Sequence, residues 1–168
     1  MCKFPKGKAD FRALRKEGFV YVDKTKYLEL LENSNNTSIH FLRPRRFGKS
    51  LFTSMIECYY DVRMANEFEE LFKGTYIYDH PTKSHNSYYI LKFDFSGLNS
   101  SNLTELKEEF HNAVYRSCRK FIKKYQLDIE LEKGTSAADC LSNLIRSVNS
   151  IVQNNSGIKG IYAIIDEL

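Results

Sequence analysis

The tripeptide Gly48-Lys49-Ser50 constrains this chain more than any other stretch. Residues 38–42 before it (Ser-Ile-His-Phe-Leu) read as a short buried strand. Residues 51–60 after it put Leu51, Met55, Cys58 and Tyr59 on one helical stripe. Strand, loop, Gly-Lys-Ser and helix, in that order, are what a phosphate-binding loop requires. The first turn of a helix carries N–H groups with no partner inside the helix, and the aligned peptide dipoles favour an anion there. Gly48 lets the main chain approach a phosphate with no Cβ in between. Lys49 can reach the β- and γ-phosphate oxygens, and the Ser50 hydroxyl can ligate Mg2+. Arg43 stands where the general pattern has its first glycine. Without its flanks, the tripeptide would equally suit a basic surface turn ahead of a helix.

Residues 161–167 (Ile-Tyr-Ala-Ile-Ile-Asp-Glu) form an apolar run closing on two carboxylates. A strand buried on both faces reads as such a run. Carboxylates at its C-terminal end lie where open α/β sheets bind ligands. Asp166 would then hold Mg2+, directly or through water, and Glu167 would orient or deprotonate an attacking water.

Three blocks carry a resemblance. They are residues 10–12 with 18–25, residues 41–51, and residues 164–167. In them the chain resembles the AAA-ATPase-like family of P-loop proteins, whose own variant of the loop has Arg in place of the first glycine. The resemblance spans nearly the whole chain and implies ATP and Mg2+ as cofactors. It implies an α/β fold: a mostly parallel P-loop NTPase-type sheet with helices on both faces and a further strand between the loop strand and the carboxylate strand. Members often carry a nuclease-like domain of the PD-(D/E)XK type after the ATPase domain. The family's last block usually continues Asp-Glu-Tyr-Asp, whereas Leu168 follows Glu167 here. The expectation is therefore a partial core, incomplete on its C-terminal side, without a sensor or arginine finger of its own.

The site expected on these grounds comprises Arg43, Arg45, Arg46, Phe47, Gly48, Lys49, Ser50 and Leu51 around the nucleotide. Ser50 and Asp166 serve the metal, and Lys49 and Glu167 serve catalysis. Arg43, Arg45, Arg46 and Lys49 can cradle a triphosphate, form a solvated patch or offer a handle to nucleic acid. Pro44 contributes no N–H donor to the loop. The expected function is ATP binding with Mg2+-dependent hydrolysis in the full-length context. Alternatives are a nucleotide-regulated interaction module that does not hydrolyse, and a nucleic-acid-binding module using the basic 43–49 cluster. A small-molecule kinase would need a lid arginine, and none is evident. Protein or nucleic-acid partners and a homo-oligomer stay open.

The 168 residues suffice for a sizeable core, and 42% hydrophobic with 27% charged residues does not indicate disorder. A net charge of +4 is too mild to argue for nucleic acid by itself. The N-terminus lacks the apolar core of a signal peptide, and no apolar run is long enough for a membrane span. An intracellular, cytoplasmic location is expected. Cys2, Cys58, Cys118 and Cys140 are scattered without metal-ligand spacing, and the last three fall on apolar helix faces, as reduced core thiols do.

Residues 1–36 read as a helical lead-in and 37–168 as the partial P-loop core. Asp10 should cap a helix over 11–17 that ends at Gly18, and Asp23 a helix over 24–32. Residues 19–22 read as a short strand or extended arm, and 21–25 as a flap near the nucleotide base or a lead-in packed on a sheet edge. Residues 88–96 read as a strand, with Asp94 and Ser96 near its end. Leu103, Leu106, Phe110, Val114, Cys118, Phe121 and Tyr125 step by three or four along a helix capped by Asn102. A further helix begins near Ser136.

Overall fold

The computed structural model describes the chain except residues 1, 2, 6, 35, 37, 43, 45, 46, 99–101, 133–135, 155, 156, 167 and 168. Arg43, Arg45, Arg46 and Glu167 of the expected site therefore lie outside the described residues. The chain forms two compact units, Met1–Ser87 and Tyr88–Leu168.

The first unit is helical. Asp10 caps α1 (Phe11–Lys16) by accepting the Ala13 N–H at 2.9 Å, and Gly18 leaves the helix at φ 70°. α2 (Lys26–Asn33), α3 (Lys49–Tyr60), a 3-10 turn (Val62–Glu67), α4 (Phe68–Phe72) and α5 (Tyr76–Asp79) follow. Their apolar stripes meet in an aromatic core. Phe11 and Phe72 lie with ring centroids 5.2 Å apart, Tyr59 packs edge-on to Phe72 at 5.5 Å, and all three are fully buried. Arg15 ties α1 to the C-terminal end of α4, donating to the Leu71 and Lys73 carbonyls at 2.7 and 2.6 Å.

Two expectations fail here. Residues 38–42 form no strand: Ser38, Ile39 and His40 are exposed and Leu42 is 90% exposed, while Phe41 stacks on Phe52 of α3 at 4.6 Å. A strand exists only where another accepts its N–H and C=O groups. Among the described residues of this unit the one isolated bridge joins Lys3 to Phe19. Asp23, moreover, does not cap α2. Thr25 occupies that position without a side-chain bond, and the Asp23 carboxylate accepts the N–H groups of Thr25 and Tyr76.

The second unit holds β1 (Tyr88–Asp94), α6 (Leu103–Tyr125), α7 (Ala137–Gln153) and β2 (Gly160–Asp166). The strands pair in parallel, from Tyr88↔Gly160 to Asp94↔Asp166. Parallel neighbours need a long crossover, and α6 with α7 supplies it. Asn102 caps α6 through the Glu105 N–H, and Ser136 caps α7 through the Asp139 N–H. Tyr89 packs on Phe121 and Tyr125, whose hydroxyl accepts the Ile90 N–H at 2.7 Å.

Among the described residues the sheet has these two strands, short of the larger sheet expected. β2 is also not buried along its length. Ile164 is buried but Ile165 is 57% exposed, because successive side chains of a strand point to opposite faces and Ala163 and Ile165 share the exposed one. β1 ends at Asp94, two residues short of its expected end. Cys58, Cys118 and Cys140 are buried free thiols, and burial pushes Cys58 and Cys118 up to about 12. Among the described residues no helix is long and apolar enough to cross a membrane.

Candidate nucleotide site

α3 begins where the sequence motif requires. Gly48 is the residue before the helix and sits at φ 77°, in the left-handed region that a side chain disfavours. Its carbonyl accepts the Phe52 N–H at 3.0 Å and so closes the first helical bond. As a glycine it has no side chain of its own to cap this end. Most helix starts recruit Ser, Thr, Asp or Asn for that purpose. Lys49 and Ser50 lie in the first turn, Lys49 half-buried and Ser50 exposed. The arrangement presents main-chain donors, one ammonium group and one hydroxyl, which is chemistry suited to a multiply charged anion.

The arm before α2 is fixed by a clamp whose parts are distant in sequence. Asp23 accepts the Thr25 N–H at 2.8 Å and the Tyr76 N–H at 2.7 Å. Thr25 is fully buried, and its hydroxyl oxygen accepts the Ile77 N–H at 3.1 Å. Burial opposes the charge on Asp23, yet the N–H bonds outweigh it and hold the carboxyl below its ordinary value. These residues belong to the first of the three sequence blocks. The reading of that block as a flap or lead-in missed the clamp, since Tyr76 is 53 residues away.

The clamped arm lines a cavity of about 210 Å³ together with the segment that leads into α3. Leu14, Met55 and Phe52 are buried lining residues, and Phe47 and Gly48 border the same space. Tyr21 donates its hydroxyl to Met55 Sδ at 3.1 Å and accepts the Lys24 N–H at 3.3 Å. Burial raises the Tyr21 hydroxyl to about 12, so it stays a neutral donor. Tyr27 stands edge-on to Phe52 at 6.3 Å and is 46% exposed, and Phe47 is 63% exposed. Leu51, expected among the nucleotide contacts, lines this cavity too.

In the second unit, in-register pairing puts Asp94 beside Asp166. Like charges directly opposite repel. Asp94 instead bonds locally, accepting the Ser96 hydroxyl at 2.6 Å and the Ser96 N–H at 3.0 Å, and these bonds hold its carboxyl below the ordinary value. Lys92 reaches diagonally to Asp166, Nζ to Oδ2 3.3 Å. Strand register decides this pair, and no local signal announces it.

Ser50 and Asp166 offer hard oxygen donors of the kind Mg2+ takes. Among the described residues no group of three or more His, Cys, Asp or Glu forms a ready-made cage. Mg2+ is commonly held by one or two protein groups together with substrate phosphates, so each of these oxygens is by its own chemistry suited to it.

A model of the family described as predicted AAA-ATPase matches residues 5–168. No curated protein and no solved structure matches the chain.

Proposed function

The chain belongs to the predicted AAA-ATPase family, and from that premise we propose that it binds ATP with Mg2+ through the start of α3 and hydrolyses it in the full-length context. One observation carries this reading: Gly48 opens α3 at φ 77°, with Lys49 and Ser50 in the first turn of the helix. The first-turn N–H groups bind the phosphate oxygens, and the Lys49 ammonium group neutralises charge that develops as the terminal phosphoryl leaves. Arg43, Arg45 and Arg46 add cations to the same segment. Ser50 through its hydroxyl and Asp166 through its carboxylate, directly or by way of water, would serve as oxygen ligands to magnesium, which would screen the phosphate charge. Glu167 orients the attacking water and accepts its proton.

Calorimetric titration of the chain with ATP and Mg2+, beside Lys49→Ala, tests the binding half. Micromolar affinity in the wild type, lost in a variant that still melts cooperatively, is the expected result. Equal affinity in both would sink the phosphate-loop assignment. Glu167→Gln separates hydrolysis from binding. It should leave affinity unchanged and remove turnover, and a module that binds without hydrolysing would function the same with either residue.

A further inference from the structure

One lysine interrupts an otherwise apolar run near the carboxyl end of β1. Leu91 and Phe93 are buried on either side of Lys92, and Ile164, its in-register partner on β2, is buried too. Residues two apart on a strand share a face, and in-register parallel partners share it across the sheet. Lys92, Asp94, Ile164 and Asp166 therefore lie on one face, with the two carboxylates side by side at its end. A lysine runs its methylene stem along apolar neighbours and carries its charge to the nearest polar edge. Here that edge is Asp166. Nζ stands 3.3 Å from Oδ2, with 37% of the lysine side chain and 21% of the aspartate side chain exposed. Asp94 is engaged by Ser96, whose bonds favour its charge first, and Lys92 and Lys120 add to that. A cation is thus set against two carboxylates that would otherwise repel each other.

We infer that Lys92 is the resident counter-cation of Asp166: its ammonium group holds the carboxylate when no metal is bound and withdraws when Mg2+ is taken up, so that Lys92 weakens the coupling between Mg2+ and nucleotide. The inference rests on the reading of Asp166 as a magnesium ligand and adds what that carboxylate does before the metal arrives. A ligand oxygen lies about 2 Å from Mg2+. An ammonium group 3.3 Å from the same oxygen is then within about 5 Å of a divalent cation. Repulsion at that distance is worth a factor of about ten or more in binding, even at the dielectric constant of water. Lys92 escapes it by swinging its four-carbon stem outward, which its partial exposure allows. What is lost is the ion pair. A pair of this exposure is worth up to about fivefold in an equilibrium, and the metal must overcome that factor. Whatever else the ammonium group touches, it cannot keep this carboxylate oxygen once a metal ion takes it. Lys92 acts through Asp166, as a positioning residue.

Calorimetric titration of the full chain with β,γ-imido-ATP, once in Mg2+ and once in EDTA, gives the factor by which Mg2+ strengthens nucleotide binding. Lys92→Met should raise that factor about fivefold over the wild type, and Lys92→Arg, which keeps the charge, should leave it within about twofold. In an Asp166→Asn background Lys92→Met should change nothing, because the carboxylate through which Lys92 acts is gone. Should Lys92→Met fail to melt cooperatively, Lys92→Gln replaces it with the same expectation. A folded Lys92→Met whose factor stays within about twofold of the wild type, or falls below it, overturns the inference. So does a rise that persists without Asp166. If Mg2+ strengthens binding as fully in Asp166→Asn as in the wild type, the assignment of Asp166 to the metal falls and this inference with it, while the phosphate site stands. A folded wild type that binds no nucleotide in either buffer overturns the phosphate-loop reading, and the inference with it.

Discussion

Gly48 separates two costs that usually travel together. A Cβ built there meets no atom of the described residues within 4 Å, so those residues leave room for a methyl group. What Gly48→Ala must bear is the left-handed backbone at φ 77°, a strain of about 1–2 kcal/mol. Urea unfolding should therefore register a loss of about that size. If phosphate oxygens approach this backbone, the methyl group lies in their way, and nucleotide affinity should fall by more than tenfold. A variant with the expected stability loss and intact affinity would show that nothing approaches Gly48 closely. Glu67 offers a second residue-scale test, at a distance from the site. Arg12 grips its carboxylate through two bonds of 2.6 and 2.7 Å, with Lys16 Nζ at 3.0 Å. The Arg12 bond first, then the Lys16 bond, bring its carboxyl down to about 2 from the ordinary 4.5. A lowered carboxyl stabilises the fold above its unfolded value and loses that contribution as pH falls through the folded one. The melting temperature should thus fall between pH 4.5 and about 2. Glu67→Gln should flatten that limb of the profile, and an unchanged slope would show that the pairs contribute nothing measurable.

At the scale of elements, helices were legible because their signals are local. Asp10, Asn102 and Ser136 each accept an N–H from the residue three further on, as their positions before apolar-periodic runs implied. The start of α3 was legible for the same reason, since glycine, lysine and serine are contiguous. The strand expected over 38–42 was not decidable locally, because a strand is completed by a partner that composition does not name. The same holds for the Asp23 clamp, completed 53 residues on, and for Lys92 beside Asp166, which follows from register. Caps are also where an element-scale prediction is sharpest. Asn102→Ala should destabilise by about 1 kcal/mol, seen as faster amide exchange in the first turn of α6. Asn102→Asp should restore protection, since an aspartate accepts the same Glu105 N–H and suits the helix dipole.

At the scale of the molecule, the division into Met1–Ser87 and Tyr88–Leu168 sorts the proposed chemistry between two cores. The first contains Gly48, Lys49, Ser50 and the apolar cavity. The second contains Asp166 at the end of β2, with Lys92 against it. Each unit has fully buried side chains of its own, Phe11, Tyr59 and Phe72 in one and Leu91, Leu144 and Val148 in the other. A unit with its own core can fold alone. Residues 1–87 expressed separately should therefore melt cooperatively and bind tripolyphosphate, with Lys49→Ala removing that binding. They should not hydrolyse ATP, since neither Asp166 nor Glu167 is present in that span. Circular dichroism on heating and calorimetric titration with tripolyphosphate check both statements. A fragment that folds but binds no tripolyphosphate would mean that the helix start is insufficient, and that the second unit's residues are needed for binding as well as for turnover. A fragment that binds as the full chain does would confine the role of Asp166 and Glu167 to the metal and the attacking water, because phosphate recognition would then reside wholly within residues 1–87, where Gly48 turns the chain into α3.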